Sequence, residues 1–104
     1  KELIIRGGEN ISASEVQAAL YKHPFVLEAV VFSIPDERLG EEVGSCVYLK
    51  EGTALTDFEL REFVSKDLAQ FKVPRKIWFR NTPLPRVGTE KIDKLLIRKE
   101  CIGL

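Results

Sequence analysis

Two helix-start signals divide this chain into alternating helical and extended segments. Ser12 with Glu15, and Thr56 with Glu59, match the capping box, in which a hydroxyl and an acidic side chain three residues later cap the first turn. Both boxes carry apolar residues at the matching staple positions. We therefore expect one helix from about Ala13 and a second directly after Thr56.

Three apolar runs predict strands around these helices. Residues 26–32 are almost continuously apolar, as in a strand buried on both faces. Residues 42–49 alternate imperfectly and predict a second strand, antiparallel to the first, and residues 77–79 predict a short third strand. A helix between the second and third strands favours a right-handed crossover and parallel pairing. The prediction is an α+β fold: a small three-stranded mixed sheet packed with about three helices.

The length of 104 residues predicts a single domain, residues 1–104. The chain has no methionine and begins within an apolar strand pattern, so we expect it to be part of a longer protein. Lys plus Arg and Asp plus Glu number sixteen each. This balance gives no net field that would attract nucleic acid or an anionic membrane.

The two cysteines show neither metal-ligand spacing nor a disulfide framework, which favours a reducing compartment, the cytoplasm. No apolar stretch approaches the length of a membrane span. We therefore expect no metal site in these residues, no nucleic-acid partner and no membrane-spanning segment.

Two loops are candidate sites. Lys91 follows a turn at Gly88 and precedes an apolar-periodic segment, so we expect it in or just before the first turn of a third helix. A lysine beside helix N-terminal amides suits a carboxylate or phosphate. The second candidate is the loop Gly7, Gly8, Glu9 and Asn10. On composition and spacing alone, a solvated surface lysine is the common case, and either loop could be an ordinary turn.

Five motifs in order carry a resemblance that covers nearly the whole chain. They are IRGGENI at 5–11, HPxVxEA at 23–29, PDExxGE at 35–41, FKVP at 71–74 and KIDK at 91–94. Together they resemble the C-terminal domain of the adenylate-forming superfamily, which includes acyl-CoA synthetases, firefly luciferase and the adenylation domains of nonribosomal peptide synthetases. The glycine loop and the PDExxGE segment look most like the fatty or aryl acid:CoA ligase branch.

This resemblance implies a two-step reaction in a full-length ligase that forms AMP. A carboxylate and ATP give an acyl adenylate and pyrophosphate, and the thiol of CoA then displaces AMP. The small domain presents a different face in each step and rotates about a hinge, which the resemblance places at Lys1. Lys91 would neutralise charge in the first step.

In the second step the loop Gly7, Gly8, Glu9 and Asn10 would enter the site, with Gly8 lying against the pantetheine arm. Arg6, beside this loop, could approach a CoA phosphate.

By the same resemblance, ATP, Mg²⁺, CoA and the carboxylic acid are bound through a large N-terminal domain that these residues do not include. We therefore expect the chain alone to fold, to bind none of them tightly and to be inactive. The acid cannot be identified here, because its pocket belongs to the other domain.

One residue departs from the family pattern, and two other functions remain open. Glu90 stands where the family usually has glycine before the catalytic lysine, which bears on the geometry of the turn. The alternatives are an adenylation domain of a peptide synthetase, which transfers its acyl group to a carrier protein, and a non-catalytic α+β interaction module.

Overall fold

A computed structural model describes residues 2–103, so Lys1, the predicted hinge, lies outside the described residues. The main sheet contains five strands: β1 (Leu3–Arg6), β2 (Glu9–Ser12), β3 (Val26–Asp36), β4 (Gly40–Leu49) and β5 (Lys76–Arg80). They lie in the order β2-β1-β4-β3, and β5 pairs with β4 beside β1. The long strand β4 is therefore the centre of the sheet.

The three predicted strands pair as the sequence indicates. β3 and β4 are antiparallel, from Val26 opposite Leu49 to Asp36 opposite Gly40. β4 and β5 are parallel, with Cys46 opposite Trp78. The predicted α+β class is confirmed.

The sheet has more strands than predicted. Gly7 and Gly8 close a two-residue turn, so that β1 folds back on β2 with Arg6 opposite Glu9. Arg6 also lies opposite Gly40, which joins this hairpin to β4. The sequence analysis predicted only a short strand-like run at 3–5, because residues 9–12 lead directly into a helix start and show no strand pattern of their own.

The described residues form three α-helices: α1 (Ala13–Tyr21), α2 (Asp57–Val64) and α3 (Lys94–Ile102). At α2 both bonds of the predicted capping box form. At α1 the Ser12 hydroxyl accepts the Glu15 N–H at 3.3 Å, while the Glu15 carboxylate binds Lys72 instead. No helix within residues 2–103 is long and apolar enough to cross a membrane.

Helices cover both faces of the sheet. Residues of α1 and α2, such as Val16 and Leu60, share one buried cluster with Val31 of β3. Ile97 of α3 belongs to a second cluster with Phe32. β3 is thus buried on both faces, as predicted. Trp78 of β5 stacks on Phe32 at 6.0 Å between ring centroids.

Lys91 lies just before the first turn of the third helix, which is one of the two placements that the sequence predicts. Asp93 is the N-cap, and its carboxylate accepts the N–H of Leu96 at 3.1 Å. An acidic side chain caps the first turn well, so the helix starts after Asp93. The amide of Leu96, one of those expected to lie beside Lys91, is therefore bound by the Asp93 carboxylate.

Candidate functional site

Lys91 lies on a small hairpin that is separate from the main sheet. Its strands are β6 (Arg86–Val87) and β7 (Lys91–Ile92), with Val87 opposite Lys91. The turn contains Gly88 at φ 68°, and residues 86–91 are all exposed. Lys91 forms no ion pair with any residue of 2–103. We call residues 86–92 the lysine hairpin.

Glu90 fits this turn without backbone strain. Non-glycine residues at positive φ are absent from the described chain, so Glu90 has ordinary backbone geometry. The left-handed conformation in the turn is adopted by Gly88, where no heavy atom lies within 4 Å of a Cβ built on it. The departure from the family pattern at position 90 is therefore compatible with the turn. Glu90 and Lys91 are both exposed and do not pair.

A cleft of about 740 Å³ borders the lysine hairpin. Lys91, Lys94 and Arg98 are its cationic lining residues. The Lys94 ammonium lies 2.6 Å from the Glu2 carboxylate, and the Arg98 Nε donates to the Ser33 carbonyl at 2.7 Å. Among residues 2–103, these contacts engage both of the other cations. Lys91 is therefore the lining cation whose ammonium is available to an anion.

The Gly7–Gly8 turn is built into the body of the domain. Gly7 has φ 54° and Gly8 has φ 89°, and the Gly7 N–H donates to the Leu39 carbonyl at 2.9 Å. A Cβ on Gly7 would lie 2.9 Å from the Leu39 Cδ2, whereas a Cβ on Gly8 would meet nothing within 4 Å. Glu9 and Asn10 are exposed. Gly8 thus presents backbone to open space, where another molecule can approach closely.

A second cleft, of about 500 Å³, contains an arginine cluster beside this turn. Arg6, Arg61 and Arg75 are among its lining residues, together with Glu42. Glu42 is 3% exposed and accepts from the Arg6 Nε at 2.9 Å, while an Arg75 nitrogen lies 4.0 Å from its other oxygen. One buried carboxylate therefore faces two guanidinium groups, which leaves excess positive charge. Arg75, which the sequence analysis did not single out, is the most exposed of these groups.

The two predicted loops lie towards opposite ends of β3. The glycine turn packs on Leu39, in the connection between β3 and β4. The lysine hairpin is tied to Glu28, near the start of β3. Eight residues of strand separate Glu28 from Asp36, which is roughly 26 Å at about 3.3 Å per residue. The structure therefore does not bring the two candidate loops into one pocket.

Neither cysteine lies in these loops, and Cys46 is poorly suited to act as a nucleophile. Burial, followed by the neighbouring Cys101, raises the pKa of the Cys46 thiol to about 12. A thiol with that pKa stays protonated at neutral pH. Groups of three or more His, Cys, Asp or Glu side chains that could hold a metal ion are absent from residues 2–103.

Residues 15–91 match a protein-family model described as the AMP-binding enzyme C-terminal domain. The matched range contains Glu28, Lys91 and two arginines of the cluster, Arg61 and Arg75. The chain belongs to this family. The resemblance inferred from the five motifs is thus confirmed, and the domain is called the AMP-binding C-terminal domain below.

Relatives and solved structures extend this match to nearly the whole chain. An oxalate–CoA ligase of Arabidopsis thaliana is 43% identical over 102 residues, which is 98% of this chain and 20% of the relative. A mitochondrial medium-chain acyl-CoA ligase of Danio rerio is 46% identical over 101 residues, which is 96% of this chain and 17% of the relative. The crystal structure of a Brucella canis acyl-CoA synthetase has a TM-score of 0.89 and 35% identity, covering 99% of this chain and 19% of that chain.

The AMP-binding C-terminal domain spans about a fifth of the length of these relatives. It contains both loops that the sequence analysis singled out. The same analysis quoted Glu28 as part of a motif but gave it no role, and it did not consider Glu42. Both are acidic residues in strands, and both are buried or half-buried. An acidic residue within a predicted strand was the signal in the sequence that could have indicated a charged partner.

Proposed function

We propose that the AMP-binding C-terminal domain serves an acid:CoA ligase that activates a carboxylic acid as an acyl adenylate and then forms the CoA thioester. The observation that carries this proposal is the 43–46% identity, over nearly the whole chain, to relatives named as CoA ligases. Their names favour CoA over a carrier protein as the acyl acceptor.

In the first step, a carboxylate oxygen attacks the α-phosphorus of ATP, and the bond to the β-phosphate breaks to release pyrophosphate. The reacting groups are both anionic, so a cation between them lowers the barrier. Lys91 is suited to this role because its ammonium is exposed on the hairpin and unpaired within residues 2–103. Glu2 and the Ser33 carbonyl engage the other cations of the cleft.

In the second step, the CoA sulfur attacks the acyl carbon, the bond from that carbon to the adenylate oxygen breaks, and the thiol proton is released with AMP. The open backbone at Gly8 is suited to a narrow pantetheine arm. The arginine cluster beside it provides positive charge for the phosphates of CoA, with Arg75 the most exposed group. Glu9 and Asn10 would flank the arm.

The placement of the loops supports a rotation of the domain between the two steps. Lys91 and Gly8 lie towards opposite ends of β3, so one orientation of the domain cannot present both to the same acyl group. We propose Lys1 as the hinge about which the domain turns. ATP, CoA and the acid would be bound mainly by the rest of the ligase.

The complete protein that carries this domain can be tested directly for this activity. Oxalate and a series of fatty acids are suitable substrates, since the relatives' names include both kinds. We expect acid-dependent release of AMP and formation of a thioester when ATP and CoA are present, and AMP release should stop when the acid is omitted. The 104-residue chain, assayed in parallel, should release none.

Two results would contradict the proposal. Acyl transfer to a carrier protein with no reaction of CoA would support the peptide-synthetase alternative. A complete protein that forms neither adenylate nor thioester with any acid would support a non-catalytic module.

A further inference from the structure

The lysine hairpin contacts the body of the domain through Ile92, which packs against the second buried cluster. All its residues from 86 to 91 are exposed, and its two strands pair with each other and not with the main sheet. Leu84, two residues before it, is 2% exposed and anchors the incoming chain in the second buried cluster. At the other end, the Asp93 N–H donates to the Pro85 carbonyl at 2.8 Å. These contacts close the base of the hairpin but leave its direction to be fixed by other groups.

Glu28 of β3 binds the base of the hairpin with both carboxylate oxygens. One oxygen accepts the backbone N–H of Leu84 at 2.8 Å, and the other accepts an N–H of the Arg86 guanidinium. The Glu28 side chain is 17% exposed, so water competes only weakly for these bonds. A carboxylate that holds a backbone amide and a guanidinium fixes both the position and the direction of the segment between them.

The restraint reaches Lys91 through a short, stiff path. Arg86 lies opposite Ile92 in the hairpin, and the next pair is Val87 with Lys91. Pro83 and Pro85 flank Leu84 and have fixed φ, so the connector between β5 and the hairpin cannot swivel freely. Because Leu84 and Arg86 are bound to β3, strand β6 is held in place, and β6 is the strand that pairs with Lys91 in β7.

We propose that Glu28 is a positioning residue for Lys91, one that sets the orientation of the lysine hairpin for the adenylation step and has no part in the thioester step. This inference rests on the proposed function. The glycine turn is held by other contacts, to Leu39 and β4, so loss of Glu28 leaves it in place.

The test uses the complete ligase with Glu28→Gln and, as a matched control, Glu100→Gln. Glu100 also binds an arginine, Arg80, at 2.7 Å, but it lies in the last turn of α3 and, among residues 2–103, forms no ion pair with the hairpin. Acid-dependent exchange of pyrophosphate into ATP measures the first step. Thioester formation from preformed acyl adenylate and CoA measures the second.

We expect Glu28→Gln to reduce pyrophosphate exchange by about tenfold to a hundredfold, which is the cost of displacing a catalytic group by about an ångström. Thioester formation should stay within about twofold of wild type. Glu100→Gln should leave both steps within about twofold, because an exposed ion pair contributes little. A parallel loss of both steps in Glu28→Gln would show a general structural role and overturn the proposal.

A double-mutant cycle separates positioning from simple destabilisation. In a Lys91→Ala background Glu28→Gln should cause no further loss of exchange, because the group that it positions is already gone. If pyrophosphate exchange in the double variant falls by the product of the two single-variant factors, the proposal is contradicted. If Glu28→Gln fails to fold, Arg86→Ala takes its place in the same cycle. This variant removes one of the two bonds to Glu28. We expect it to reduce pyrophosphate exchange by less than tenfold, and to cause no loss in the Lys91→Ala background.

Amide hydrogen exchange in residues 84–93 of the complete protein tests the restraint on the hairpin independently of catalytic activity. Glu28→Gln should speed exchange of this peptide while the peptide over the glycine turn stays at the wild-type rate. Unchanged exchange in 84–93 would overturn the inference. A wild-type protein without acid-dependent pyrophosphate exchange would instead refute the proposed function, and the hydrogen-exchange result would still decide whether Glu28 restrains the hairpin.

Discussion

The glycine turn and the lysine hairpin are both tight turns with a left-handed glycine, but they are attached to the domain in different ways. The strands beside Gly7 and Gly8 belong to the main sheet and bury Ile4 and Ile11 completely. The lysine hairpin is a separate two-stranded ribbon that is attached through Leu84, Ile92 and Glu28. The glycine turn is thus fixed by strands of the core, whereas the lysine hairpin is fixed at its base by Leu84, Ile92 and a few side-chain bonds.

Because of this difference, substitutions at the two turns should affect the stability of the domain and its proposed chemistry to different extents. A change near the glycine turn disturbs the core as well as the candidate site. A change at residues 86–91 of the lysine hairpin alters the candidate site and leaves the core intact. An isolated two-stranded ribbon is marginal in water, so the hairpin needs the contacts at its base to keep one orientation.

The largest expected contrast is in the free energy of unfolding. Ile11→Ala removes a fully buried side chain and should lower the free energy of unfolding by about 2–5 kcal/mol. Val87→Ala, on the 54% exposed side chain opposite Lys91, should change it by no more than about 0.5 kcal/mol. Urea denaturation of the 104-residue chain measures both. Equal losses would mean that the hairpin is part of the cooperative core.

A methyl group on the glycine turn should have an intermediate effect. Gly8→Ala places an alanine at φ 89°, which costs about 1–2 kcal/mol in the left-handed region. Gly88→Ala, at φ 68° and also in open space, should cost a similar amount and is the matched control.

The two alanine variants should differ in catalysis. In the complete ligase Gly8→Ala should slow thioester formation from preformed adenylate more than pyrophosphate exchange, and Gly88→Ala should do the reverse. The same pattern in both variants would show that the loops do not serve separate steps.

The smallest expected effect is at Glu90. Glu90→Gly restores the residue that the family usually has before the lysine. Because Glu90 is not at positive φ, glycine relieves no strain and should lower the free energy of unfolding by about 0.5–1 kcal/mol through backbone entropy. Pyrophosphate exchange should stay within about threefold of wild type, since about 0.6 kcal/mol of transition-state energy corresponds to that factor. A large gain in exchange would mean that Glu90 restrains the lysine.

The sequence predicted the parts of the fold that local patterns determine. The apolar runs of β3, β4 and β5 and the capping residues Ser12 and Thr56 indicated the centre of the sheet and two helices. It missed the pairing of β1 with β2, because residues 9–12 show no alternation. It left open whether Lys91 lies in or just before the third helix, and the structure shows that the helix begins after its N-cap, Asp93.

The candidate site was predictable in its loops but not in its supports. Lys91 and the glycine loop stand out in the sequence, and they remain predictions as site residues. The bonds from Glu28 to Leu84 and Arg86 join residues 56 and 58 positions apart, and no local pattern encodes such contacts. The separation of the two loops along β3 likewise depends on the register of the sheet.

The most direct test of the two-loop account is the pair of half-reactions in Lys91→Ala of the complete ligase, with Lys99→Ala, an exposed lysine of α3, as the control. The account predicts that pyrophosphate exchange falls by about 100- to 1,000-fold, as for loss of a group that stabilises transition-state charge. Thioester formation from preformed adenylate should stay near the wild-type rate, and Lys99→Ala should affect neither step. Unchanged exchange in Lys91→Ala, or an equal loss in both steps, would contradict the assignment of Lys91 to adenylation.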